Sequence, residues 1–267
     1  MLIVVHVVHV VHVVDVPSWT GTEATSAGPG LLIPDMNDLA ALIMTILAGL
    51  GLASPGIAPK FIARGSVGHD ISYPQCGRGL PAASSFGIVG VNGGKPYTAN
   101  PCLASEYSWA AATSGGAAFY MNTADPGAQT TSLDWYGQRS PDATCRPGRE
   151  AACAYNFGYN AAATAMSYAQ AQTGHSANTM WWLDVETENS WSTTDLNANV
   201  ASIRGSIDFL QRQPGVKVGI YSIRQMWTRI AGNTVIDLPN WVAGARDLSN
   251  ARVRCAPAFS ATGGRSS

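Results

Sequence analysis

Charge is what this sequence has least of. Only 12% of its 267 residues are Asp, Glu, Lys or Arg, and the formal net charge is −1. That balance lacks the electrostatic attraction by which nucleic acids or anionic membrane surfaces are recognised, so neither is expected as a partner. Histidines number five, and none of the five cysteines sits in a CxxC pair, which argues against a structural zinc site. There is no GxSxG, so a serine nucleophile on a strand-to-helix elbow is not indicated. From Val67 onward no tandem repeat is visible.

Apolar residues, by contrast, make up 46% of the chain, enough for a sizeable core, and Gly 28 with Pro 15 supplies the turns of a barrel or a multi-stranded sheet. The surface must then rely on Ser, Thr, Asn and Gln, a style suited to an exported protein that handles neutral polymers. Without a zinc pattern, the cysteines read as disulfides, and hence as an oxidising compartment. Cys145 and Cys153 flank "RPGREAA" and can close that loop. Cys76 and Cys102 each follow an expected strand and can link neighbouring loops, which leaves Cys255 over.

The first 65 residues read differently from the rest. "MLIVVHVVHVVHVVDV" carries His6, His9 and His12 at three-residue spacing, with Asp15 next in the series. β-Branched valines oppose a helix, and a period of three does not gather residues on one face of a strand. A metal-binding stripe is therefore not expected, and residues 1–65 are assigned to a leader and low-complexity region. Within it, Met36 opens "MNDLAALIMTILAGLGLASPGIA", whose apolar stretch from Leu39 to Ala53 has the length of a secretory h-region. A membrane span needs roughly 20 apolar residues, so none is expected here. The segment 36–58 lacks a Lys or Arg ahead of the apolar run, and an apolar helix packed on the domain is the competing assignment.

From Val67 short apolar runs alternate with helical stretches. Expected strands are 67–72, 86–94, 117–123, 180–186, 216–222 and 240–245. Expected helices lie near 103–114, 156–173, 195–213 and 224–231. In the third of these, Leu196, Val200, Ile203, Ile207 and Leu210 recur at helical spacing behind the capping residues "STTD". Strand–helix alternation predicts an α/β fold with a parallel sheet or barrel. Several strands end in polar residues: Asp70, Asn92, Asn122, Asp184 with Glu186, and Tyr221 with Ser222. In a parallel barrel those ends converge on one face.

The sharpest candidate is "WWLDVETENSW", residues 181–191. Residues i and i+2 of a strand share a face about 6.6 Å apart, so Asp184 and Glu186 project side by side. Asp70 can join them in a closed barrel. Clustered carboxylates raise one another's pKa, which allows one to stay protonated while another is ionised. Glycosidic cleavage needs that division, an acid for the leaving oxygen and an anion for the oxocarbenium-like transition state. Two plainer readings compete: the acids solvate a strand end, or they offer hard oxygen ligands to magnesium or calcium. No histidine lies close in sequence to support a metal site. His175 sits in a polar loop, and His69 faces away from Asp70 on its strand. Glu188 lies beyond the strand and reads as merely solvated.

In this order, the motifs resemble glycoside hydrolase family 25, the lysozyme-type muramidases, over residues 67 to 255. "GHDIS" resembles the family's opening GxDxS and places its active-site aspartate at Asp70. "WWLDVE" resembles the DxE strand, "VGIYS" the strand whose tyrosine lines the pocket, and "NWVAGA" the later LWxA strand. The resemblance implies an irregular (β/α) TIM-like barrel over residues 66–267. It implies hydrolysis of the β-1,4 bond between N-acetylmuramic acid and N-acetylglucosamine in peptidoglycan by a secreted or cell-wall protein. Glu186 would be the general acid, Asp184 would orient or stabilise the reacting sugar, and Asp70 would tune charge. Asn92, Asn122, Tyr221 and Trp241 are the implied sugar contacts. No cofactor or metal is expected, and the protein is expected to be a monomer. The family carries at least one more strand after "NWVAGA", where this chain has the small-residue tail "CAPAFSATGGRSS". The barrel is thus expected to lack its last strand and Cys255 its partner. A non-catalytic glycan-binding barrel of the same ancestry, or a glycosidase acting on another polymer such as chitin, are the competing functions.

Overall fold

The computed structural model describes residues 3–7, 10–15, 66–82, 84–128, 135–138, 140–243 and 259. The barrel unit takes in Met1–Pro17 and Phe61–Ser267, while Ser18–Lys60 is assigned to a separate unit. The signal-like segment 36–58 and Cys255 lie outside the described residues.

Six strands carry the fold: β3 (Val67–Ile71), β4 (Gly87–Gly90), β5 (Ala117–Asn122), β6 (Met180–Asp184), β7 (Lys217–Ser222) and β8 (Asn240–Ala243). Each pairs in parallel with the next. Four helices fill the crossovers: α1 (Leu103–Ala111), α2 (Glu150–Thr173), α3 (Leu196–Gln211) and α4 (Arg224–Ala231). The six parallel strands form an open half-barrel, an incomplete TIM-like barrel, as expected from the alternating pattern. Two further strands, β1 (Ile3–Val7) and β2 (Val10–Asp15), form an antiparallel pair. The backbone of β1 pairs in parallel with β8, and that of β2 pairs antiparallel with β3, so hydrogen bonding runs round the whole sheet. Residues 3–7 and 10–15, assigned from sequence to the leader, are thus strand. The β-branched valines that oppose a helix favour a pleated conformation.

The period of two divides the strands cleanly. Val89, Phe119, Met121, Trp181, Leu183 and Ile220 face outward and form the main core beneath the helices. Ile88, Trp182 and Trp241 face inward with Phe86, and Ala118, Tyr120, Met180 and Tyr221 pack against them. Asp70 lies opposite Ile88 in the ladder, which puts it on the inner side. The longest helix contact is α2 against α3. A Cβ on Gly158 would lie 1.9 Å from the Ser202 carbonyl oxygen, and one on Gly205 would lie 2.0 Å from that of Tyr155. Only glycine lets these two backbones approach so closely. Ser206 donates to the Gly158 carbonyl across the same crossing at 2.9 Å.

Helix boundaries follow expectation closely, with one exception. α2 begins at Glu150, six residues before the sequence estimate of 156, because "EAACAYNF" continues the helix through the buried Cys153 and Ala154. The Cys145–Cys153 disulfide joins that first turn to the loop before it, and Cys76–Cys102 joins the turn after β3 to the start of α1. Both expected pairings are present. Asp195 caps α3, its carboxylate accepting from the Ala198 N–H at 3.1 Å.

Candidate active site

The ladder register sets the site. Asn122, Asp184, Tyr221 and Trp241 are successive neighbours across β5, β6, β7 and β8, one row on the inner side at the carboxyl ends of the strands. Glu186 follows Asp184 by two residues and so shares its side of the chain. Asp70 faces the same interior from β3.

Asp184 is buried, with 4% of its surface exposed. Asn122 donates its side-chain amide to Asp184 Oδ2. The Asp184 carbonyl accepts twice from Thr123, from its N–H at 3.0 Å and its hydroxyl at 2.6 Å, which fixes the end of β6 to that of β5. Burial pushes the Asp184 carboxyl well above the ordinary carboxylate range, and a hydrogen bond and negative charge from Glu186, then charge from Asp70 and Glu188, push it further. The titration of Asp184 therefore depends on the charge of Glu186 beside it.

Glu186 is half-buried at the mouth of the interior. Its backbone carbonyl accepts from the Trp191 indole at 2.7 Å, and the preceding Val185 is held on both sides, its N–H donating to the Tyr221 carbonyl at 2.9 Å and its own carbonyl accepting from Ser222 at 2.7 Å. Tyr221 is raised far above a free phenol by burial, then by the charges of Glu186, Asp184 and Asp70, and its hydroxyl donates to Glu186. Tyr120 is raised by burial and by Asp70, and it is hydrogen-bonded to Ser72. Asp70 thus contributes to the upward shifts at Asp184, Tyr120 and Tyr221, and Glu186 to those at Asp184 and Tyr221. Among the described residues, no group of three or more His, Cys, Asp or Glu is placed to hold a metal ion.

The aromatic residues form the floor. Trp241 meets Tyr221 at 4.6 Å between ring centroids, Trp182 at 5.8 Å and Tyr120 at 6.3 Å, all edge to face. With 2% of its surface exposed, Trp241 is enclosed by these rings and offers no open face to a sugar. Asn92 is spent on structure: its Oδ1 accepts from the Asn122 N–H at 3.0 Å and its amide donates to the Asn122 carbonyl at 3.3 Å. Asn122 orients Asp184, and Tyr221 orients Glu186. Glu188 is exposed beyond the strand end, and His175 is exposed against Tyr107. His69 turns to Ser84, 3.2 Å away. A small cavity of about 90 Å³ lined by Asn92, Tyr97, Thr164 and Tyr168 contains none of the acids.

Sequence reasoning missed Tyr120, Trp182, Ser72, Thr123 and Trp191. The period of two could have found the first two, since Tyr120 stands two residues before Asn122 and Trp182 two before Asp184. Another omission is the turn after β3. Ser72 and Gln75 form a reciprocal capping box, with the Ser72 N–H donating to Gln75 Oε1 at 2.9 Å, and this fixes the exit of the strand that bears Asp70.

No model of a known protein family matches the chain, and no curated protein matches it. Solved structures give distant likenesses. One is a muramidase from Trichobolus zukalii, 17% identical with a TM-score of 0.43, covering 67% of this chain and 76% of that one. Another is a GH53 catalytic domain from Ignisphaera aggregans, 15% identical with a TM-score of 0.31, covering 65% of this chain and 55% of that one. Similarity this remote leaves function to be argued from the side chains themselves.

Proposed function

We infer that this protein is a secreted glycoside hydrolase that cleaves the β-1,4 bond between N-acetylmuramic acid and N-acetylglucosamine in peptidoglycan. The observation that carries the reading is the buried Asp184, its carboxyl raised above the ordinary range, beside the half-buried Glu186 at the carboxyl ends of the parallel strands, with Asp70 facing the same interior.

Asp184 holds the shared proton at rest, and Glu186, nearer the solvent, passes it to the glycosidic oxygen as the bond to the anomeric carbon breaks. The pair gains negative charge as the sugar becomes positive, so its two anions stabilise the oxocarbenium-like transition state in a poorly solvated interior. Asp70 adds to that field. Asp184 also orients the acetamido group of the reacting sugar. Glu186 then takes a proton from the attacking water, which restores the one-proton pair. Tyr221 and Asn122 keep the two carboxyl groups in register throughout.

Turbidity loss of purified bacterial walls tests the reading. Wild-type protein clears the suspension, and Glu186→Gln, which keeps shape and removes the proton donor, clears it at least a hundredfold more slowly. Equal clearing by both removes Glu186 as the acid. Wall binding without clearing by either establishes a glycan-binding barrel instead. Clearing of chitin in preference to walls reassigns the substrate.

A further inference from the structure

Tyr73 is one of three large apolar side chains left exposed among the described residues, with 45% of its surface in solvent. Val67 and Val235 are the others. Unlike those valines, Tyr73 belongs to the turn that follows Asp70, so its Cα lies within about 11 Å of that of the acid. The turn is held firmly. Gln75 N–H donates to the Ser72 carbonyl at 2.8 Å, Cys76 N–H donates to the Tyr73 carbonyl at 3.1 Å, and the adjoining Cys76 is bonded to Cys102. The ring lies across Gly94, where a Cβ would come within 3.1 Å of both the Tyr73 Cε1 and its hydroxyl oxygen. Gly94 has a φ of +84°, so its turn presents bare backbone for the ring to rest on. Asn92, whose bonds tie β4 to the strand end beside Asp184, stands two residues before it.

An exposed aromatic ring on an immobilised turn bears little entropic cost when it is covered. Apart from Asp70, Arg78 and Lys95, the residues of its own turn and of the turn at Gly94 are uncharged, which suits a sugar ring better than a strongly charged partner. We propose that Tyr73 is a stacking platform for a sugar of the glycan strand next to the one that reacts, so the protein engages an extended polysaccharide and not an isolated disaccharide. This rests on the glycosidase reading and adds a subsite to it. The inward-facing Trp182 and Trp241 cannot serve, because both are buried. Tyr73 is the open ring on the same rim.

Calorimetric titration of the full chain with a soluble octasaccharide of alternating N-acetylglucosamine and N-acetylmuramic acid, with cleavage followed in parallel, tests the platform. Tyr73→Ala is expected to weaken binding about tenfold, in proportion to the ring area covered, and Tyr73→Phe to bind within twofold of wild type. The ring projects into solvent, so neither change should alter folding. Circular dichroism melting verifies this. Tyr73→Ala binding as well as wild type overturns the platform, whether or not the octasaccharide is cleaved. Weaker binding by Tyr73→Ala with no cleavage by wild type upholds the platform and refutes the glycosidase. No binding by wild type refutes both.

Discussion

Asp125 follows β5 into the loop at the carboxyl end of the barrel, and it is the buried acid outside the site whose titration has a defined value. With 1% of its surface exposed, its carboxyl is pushed up to about 6 by burial, lowered somewhat by the Gly127 N–H at 3.2 Å, and raised again by Asp195. The folded protein therefore binds this proton more tightly than the unfolded chain does. Stability falls as pH rises from the ordinary value of 3.8 to about 6 and is flat above. The shift is about two pH units at 1.36 kcal/mol each, so the loss is about 3 kcal/mol. Asp125→Asn keeps an oxygen for Gly127 and removes the titration. Its stability relative to wild type should therefore improve by about 3 kcal/mol between roughly pH 3.5 and pH 7.5, whatever constant offset the new amide introduces. Urea unfolding at the two pH values measures this, because other titrating groups cancel in the comparison. Parallel pH curves for the two proteins would refute the argument that burial sets this carboxyl.

Gly205→Ala places a methyl group 2.0 Å from the Tyr155 carbonyl oxygen. It should cost about 3 kcal/mol despite alanine's better helix propensity, since the obstacle is backbone; a thermal midpoint at or above wild type contradicts the close crossing. Removing Cys145–Cys153 by double alanine substitution should cost about 2.5 kcal/mol and removing Cys76–Cys102 about 3.5 kcal/mol, because their sequence separations are 8 and 26. Denaturant titration of each variant checks the order. The Asp184 carboxyl is raised above the ordinary range beside Glu186, so wall clearing should persist above the usual carboxylate pKa of about 4 and decline only as that proton is lost. Asp184→Asn, which removes the neighbouring carboxyl but leaves Glu186 as the proton donor, should move that alkaline limb to lower pH, and an unmoved limb would assign it to another group.

Much of the architecture was legible because apolar period and capping residues are local. The run from Leu196 to Leu210 predicted α3 within two residues at either end, and the DxE spacing placed Asp184 and Glu186 on one side of the strand before any register was known. The roles of their neighbours were less legible because they depend on pairing between strands. Asn92 and Trp241 looked like sugar contacts when each was a polar or aromatic residue at a strand end. Register turns Asn92 toward the Asn122 backbone and buries Trp241 among three other rings. The pairing of β1 with β8 and of β2 with β3 was equally out of reach, since a valine-rich run specifies a strand but not its partner.

The most direct test of the account concerns which bond is cut. Purified peptidoglycan is digested with wild-type protein and with Glu186→Gln, the new reducing ends are reduced with borohydride, and the sugar alcohols are identified by mass spectrometry. The account predicts muramitol from the wild type and at most a hundredth as much from the variant. Glucosaminitol in its place, or equal yields from the two proteins, would contradict it.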